Sequence, residues 1–265
     1  MQLIDTHNHL DFPEFDHDRD QLLSQAQALG VARQIVLGVC APQWPRLWQL
    51  VTSTQGEQAG LFAAFGLHPV YLADHPSDAV QRLEQQLSAC RQHPRLCAVG
   101  EIGLDYFVPT LDRQQQANLF IQQLELAKQF ELPALLHVRR AHADTIAALK
   151  QVKLPRGGIV HAFAGSLEEA REYRKLGFLL GFGGAATWPQ AQRLRRVLAA
   201  LPAEQLVLET DAPDMAPVFL AGQRNSPTAL AEISHCLAEV RGVSAATLAQ
   251  QCTANTCALF GWPAL

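Results

Sequence analysis

The sequence predicts one domain, residues 1–265, folded as an α/β barrel of the (β/α)8 type with its site at the carboxyl ends of the strands. Three observations carry this. A short apolar segment followed by a helical stretch recurs about eight times. No Gly/Ser linker, charge block or low-complexity segment divides the chain. Neither GxGxxG nor GxxxxGK[ST] occurs, whereas an open doubly wound sheet, the alternative, usually carries such a phosphate loop.

In chain order, the apolar segment at 3–5 leads to a helix at 20–29, where Leu22, Leu23, Ala26 and Leu29 recur at the spacing of one helix face. Strand 34–37 precedes helix 44–54, strand 61–65 precedes helix 78–91, and strand 97–100 precedes helix 113–130. Strands 133–137, 158–161 and 178–181 precede helices 143–150, 167–176 and 190–200. After the last strand, 206–208, come a helix at 228–240, behind Pro227, and another at 245–259.

Hydrophobic residues at 48% and charged residues at 17% suffice for a large core and exclude a disordered or fibrous chain. Apolar runs such as Ile35 to Val39 fall far short of the roughly 18 residues of a membrane span. Met1 runs directly into Leu3, Ile4 and Asp5 with no secretory signature, so the cytoplasm is the expected location. A net charge of −4 and a pI near 6.2 speak against a broad basic face for nucleic acid. A bound metal can still let such a chain grip a few phosphates. The six cysteines form no CxxC pair and read as reduced thiols. Nothing signals an obligate protein partner.

The polar residues at the strand ends are unusual. The first strand ends in Asp5-Thr6-His7-Asn8-His9, the fourth in Glu101, the fifth in His137, the sixth in His161, and the eighth in Glu209-Thr210-Asp211. His7 and His9, two apart on an extended chain, leave the same face and can share one ion. A lone histidine in an apolar run is usually a satisfied core residue, and His137 alone would be read so. Four histidines and two carboxylates on one rim are better explained by a metal centre.

With His7/His9, Gly-Glu-Ile-Gly-Leu-Asp at 100–105, His137 in His-Val-Arg-Arg-Ala, His161 in His-Ala-Phe-Ala-Gly and Glu-Thr-Asp-Ala-Pro at 209–213, the chain resembles the TatD-type metal-dependent hydrolases of the amidohydrolase superfamily. The likeness extends to Gly66-Leu67-His68-Pro69, Arg224-Asn225-Ser226-Pro227 and Asn255. It implies a barrel with a two-metal site and deoxyribonuclease or related phosphodiesterase activity, with attack from the 3′ end. Ala162 and Ala164 stand where the family often has cysteine and serine, and Ser226 where it often has an acid. These departures bear on substrate preference and leave the metal set intact.

Phosphodiester hydrolysis needs an activated water, a neutralised phosphoryl oxygen and a stabilised leaving alkoxide, which two divalent ions can supply. The expected assignment puts His7, His9, Glu101 and Asp211 on one ion, with Glu101 bridging to a second held also by His137 and His161. The ions are Zn, Mg or Mn; the ligand set alone does not choose among them. Asp211 is the expected general base. Glu209 either orients a ligand or is a solvated or salt-bridged strand-end carboxylate. Arg139 and Arg140 reach a phosphate or form a surface ion pair. His68 contacts substrate or shapes the turn at Pro69, while Arg224 and Asn225 wall the site from the loop after strand eight. Trp188 stacks a base or packs internally. His17, His75, His93, His142 and His235 read as ordinary loop or surface residues.

The leading reading is a metal-dependent nuclease acting on single-stranded DNA ends. A second is hydrolysis of a small phosphoester, lactone or C–N bond on the same scaffold; a carboxylated bridging lysine would mark many of those enzymes, and this chain has Glu101. A third, a metal-binding protein without catalysis, fits poorly with a complete ligand set.

Overall fold

Eight parallel strands pair in sequence order in the computed structural model, which describes residues 1–265. They are β1 (Leu3–Asn8), β2 (Val31–Leu37), β3 (Leu61–Phe65), β4 (Leu96–Asp105), β5 (Ala134–Arg139), β6 (Gly158–Val160), β7 (Phe178–Phe182) and β8 (Leu206–Leu208). Helices α1 (Arg19–Ala28), α2 (Trp44–Val51), α3 (Thr54–Gln58), α4 (Ala79–Cys90), α5 (Arg113–Gln129), α6 (His142–Val152), α7 (Leu167–Lys175) and α8 (Gln192–Ala200) fill the crossovers. α9 (Leu230–Arg241) and α10 (Ala245–Phe260) follow β8. None of them is long and apolar enough to cross a membrane.

Strands this buried need apolar side chains on both faces. One cluster, including Val36, Phe65, Leu136 and Leu180, packs outward under the helices. Ile35, Leu37, Ala64, Cys97, Ala98, Leu135, Ile159 and Val207 form a second cluster facing the other way, with Leu259, Phe260 and Trp262 packed on it. The end of α10 and the residues just after it therefore seal the lower mouth. Asn255 helps hold them there, its amide donating to the carbonyls of Ala203 and Leu206. Between β8 and β1 the closure is looser. The His9 and Asp211 N–H groups donate to the Ala212 and His7 carbonyls, and the Thr6 hydroxyl donates to Leu208.

Two expected elements differ. The helix read at 44–54 breaks after Val51, and Ser53 caps the short α3 by accepting from Gly56 N–H. β4 continues to Asp105, five residues past its expected end, because Gly100 and Gly103 punctuate the sequence without ending the strand. Gly103 has φ +151°, and a Cβ there would lie 1.9 Å from the His137 carbonyl oxygen. Only glycine lets β4 and β5 approach so closely at this point. Gly103→Ala is expected to cost at least about 2 kcal/mol of stability, combining strain and clash. A urea midpoint indistinguishable from wild type would contradict this close approach.

Candidate metal centre

Six of the predicted residues arrive at one point at the carboxyl end of the barrel. His7 lies within β1 and His9 follows it; Glu101 lies within β4 and His137 within β5; His161 follows β6 and Asp211 follows β8. Glu101 is the hub. Its Oε2 lies 3.2 Å from His7 Nε2 and 3.3 Å from His9 Nε2. Its Oε1 lies 3.1 Å from His137 Nδ1, 3.0 Å from His161 Nε2 and 3.2 Å from His68 Nε2. Asp211 Oδ1 is 3.5 Å from His7 Nε2 and 3.8 Å from His9 Nε2. A left-handed backbone (φ +58°) turns Asp211 inward.

Hydrogen bonds behind the rings sort donors from ligands. His9 Nδ1–H donates to the Leu37 carbonyl, and His137 Nε2–H to Asp105 Oδ2 at 3.0 Å. In its neutral form each then turns a bare nitrogen toward Glu101, the form a metal would select. His68 is the reverse: its Nδ1 accepts from Val70 N–H, so a neutral His68 carries its proton on Nε2 and points a donor into the centre. By distance alone His68, Glu101 and His137 form a ligand group; the protonation pattern instead suits His68 to an anionic oxygen.

The charges agree. Burial alone would raise Glu101, but His68, His7 and His161 around it pull it well below the ordinary carboxylate range. Burial opposes protonation of His9 and His161, yet the carboxylates lift them to about 9 and about 10. Burial holds His7 well below its usual value and takes His68 down to about 4. A divalent cation would compete with protons for the raised nitrogens, so its binding weakens as pH falls. The residues fit such an ion. Separations of 3.0–3.5 Å between donor atoms suit neighbouring ligands on one small cation with bonds of about 2.0–2.2 Å. The donor atoms of His7, His9 and Asp211 lie within 4.8 Å of one another.

Several supporting residues escaped the sequence reading. Asp5, fully buried, accepts from His7 N–H, Asn8 Nδ2, Thr210 N–H and the Thr210 hydroxyl, clamping the end of β1 to the end of β8. Gln116 and Gln123, seven apart on α5, each grip a strand end with both amide atoms: Asp105 in one case, Leu67 in the other. Glu209 is 1% exposed, which overturns a solvated carboxylate and leaves the ligand-orienting and salt-bridged readings. Its Oε1 accepts from Ala162 N–H and lies 4.0 Å from His161 Nδ1, on the side of the ring away from Glu101. Burial pushes Glu209 up to about 8.

A pocket of about 840 Å³ opens above the cluster, with His68, Arg139, Arg140, Arg193 and His142 in its wall. His142 is thus no ordinary loop residue; its Nδ1 is paired with the buried Tyr173 hydroxyl. Arg224 and Asn225 lie outside this wall. Arg224 pairs with Asp18, donates to the Glu14 carbonyl and covers Phe15. Asn225, fully buried, donates to the Thr210 and Asp214 carbonyls and so shapes the loop around Asp211. Trp188 donates to the Ala216 carbonyl and is likewise absent from the pocket wall. Asn225 thus satisfies the backbone of the long loop after β8 and Arg224 ties that loop to the segment after β1, while Trp188, from the loop after β7, takes the packing role of its two alternatives.

Comparisons with known proteins agree with this geometry. A family model described as TatD related DNase matches residues 4–261. The chain is 42% identical to the uncharacterized metal-dependent hydrolase YjjV of Escherichia coli K12, over 99% of each chain. The crystal structure of that E. coli protein, a TatD homolog, superposes with a TM-score of 0.92 at 41% identity, covering 98% of each chain. The 3′-5′ ssDNA/RNA exonuclease TatD of Cronobacter sakazakii is 34% identical over 93% of each chain.

Proposed function

Because this chain belongs to the TatD-related DNase family of metal-dependent hydrolases, we propose that it is a nuclease that trims single-stranded DNA from an end. One observation carries the reading: a single buried carboxylate, Glu101, turns one oxygen to His7 and His9 and the other to His137 and His161. Divalent ions, Zn, Mg or Mn, would be held by His7, His9 and Asp211 on one side and by His137 and His161 on the other, with Glu101 contributing to both. Bound there, they would neutralise a phosphoryl oxygen and lower the pKa of water enough for attack near neutral pH.

The remaining chemistry belongs to side chains. Asp211 takes the proton of the attacking water. His68, locked by Val70 N–H, offers Nε2–H to a non-bridging phosphate oxygen. Arg139 and Arg140 meet further phosphates at the mouth. Leu37 and Asp105 fix the His9 and His137 rings, so neither of these two has to reorient during turnover.

Substrate form follows from depth. The cluster is buried at the floor of the pocket, and the net charge of −4 leaves no long basic groove to hold a duplex. A free single-stranded end can enter. With linear single-stranded, blunt duplex and closed circular single-stranded DNA under the same metal, the linear single strand should be trimmed fastest and the circle should persist. Equal loss of the circle would overturn the end-directed reading. Hydrolysis of small esters with every nucleic acid left intact would overturn the nuclease reading itself. The relatives named as 3′-5′ exonucleases favour trimming from the 3′ end.

A further inference from the structure

Phe107 is a large apolar side chain left 44% exposed just after β4, and it is not isolated. The Arg139 guanidinium carbon lies 3.7 Å from its ring centroid and that of Arg140 4.7 Å. Neither arginine belongs to an ion pair: the arginines and lysines that do are Arg19, Arg46, Arg82, Lys150, Arg171, Lys175 and Arg224. Both arginines also line the pocket over the metal cluster. Phe107 itself stands just outside that wall, so the two cations held against its solvent-facing ring leave a positive surface running outward from the pocket.

Its position is tied to the centre. Asp105 Oδ2 accepts from His137 Nε2–H, while Oδ1 accepts from Phe107 N–H at 2.8 Å and Val108 N–H at 3.3 Å. The same carboxylate therefore orients a ligand ring and sets the turn that presents Phe107. Tyr106, one residue earlier, donates its hydroxyl to Asp144 of α6 and fixes that turn from the other side. The surface is built at a set distance from the scissile position, which a solubilising surface contact would not require.

We propose that Phe107, with Arg139 and Arg140, is the stacking platform for a nucleobase next to the scissile phosphate, making this protein selective for single strands whose bases are free. The proposal rests on the nuclease reading above. Base–aromatic stacking tolerates any sequence, and guanidinium planes stack bases as well as rings do. Paired bases cannot offer a face, so the platform discriminates by strandedness and not by base identity.

The test compares metal-loaded wild type with Phe107→Ala and Phe107→Trp on two substrates, a single-stranded oligonucleotide and bis(4-nitrophenyl) phosphate. Phe107→Ala should raise KM for the oligonucleotide about 5- to 100-fold and leave the small ester unchanged, and Phe107→Trp should restore the oligonucleotide value. Fluorescence of 2-aminopurine near the 3′ end should be quenched on binding to wild type and much less with Phe107→Ala. Unchanged KM and unchanged quenching in Phe107→Ala would overturn the platform while sparing the nuclease reading. Equal loss on both substrates would do the same, showing that the ring only supports Asp105. A wild type that hydrolyses the ester but no oligonucleotide would overturn the nuclease reading and the platform with it.

Discussion

Glu101→Ala is expected to abolish hydrolysis, with kcat/KM down on the order of 10³-fold or more and metal content below that of wild type. No other carboxylate divides its oxygens between the two halves of the cluster: Oε2 serves His7 and His9, and Oε1 serves His137, His161 and His68. Without it the five imidazoles lose the charge that lifts His9 and His161, and protons leave them at a lower pH than in wild type. The fold should survive, since Glu101 belongs to neither apolar cluster. Glu101→Gln keeps the shape and removes the charge, so it should lose nearly as much activity and thereby separate charge from packing. Metal analysis, circular dichroism and turnover suffice. A variant that holds as much metal as wild type and turns over normally would remove the bridging role.

The six-residue cluster at the barrel rim was legible in the sequence because two rules act together. Parallel strands of a barrel deliver their carboxyl ends to one rim, and histidines or carboxylates are costly there unless something binds them. His7, His9, Glu101, His137, His161 and Asp211 each stand at a strand end, so locating the strands located the site. What stayed hidden depends on partners distant in sequence. Gln116 and Gln123 look like two of several glutamines on a polar helix, and only the fold turns them toward Asp105 and Leu67. Asp105 ends a run already read for Glu101, and its grip on His137 comes from the register of β4 on β5. His142 opens α6 with no ligand constellation around it, yet the barrel places it in the pocket wall. Arg224 and Asn225 show the converse. Polar residues on a loop beside the site were read as substrate contacts, and the loop's own anchoring used them.

Asp211→Asn should lower kcat by about 10²- to 10⁴-fold, the usual contribution of a general base, while keeping much of the bound metal. Three acidic side chains stand at this centre, and exposure separates them. The Asp211 side chain is 13% exposed, against 3% for Glu101 and 1% for Glu209. Only Asp211 both meets the cluster and faces water entering the pocket. Burial raises its pKa above the ordinary aspartate value, although His161 and His9 pull against that rise. The sign follows. A carboxylate base works when deprotonated, so wild-type kcat/KM should fall as pH drops through this pKa, and an asparagine, which has no such proton to lose, should abolish that acid limb. Glu209 provides the contrast. It sits behind His161, 4.0 Å from Nδ1, with its Oε1 engaged by Ala162 N–H, and it is expected to act on the centre through that ring. Glu209→Gln should therefore cost about 10- to 100-fold and retain the acid limb. If Asp211→Asn instead kept the wild-type rate and limb while Glu209→Gln lost both, the proton acceptor would lie behind His161, and the route of the attacking water would have to be redrawn from that side.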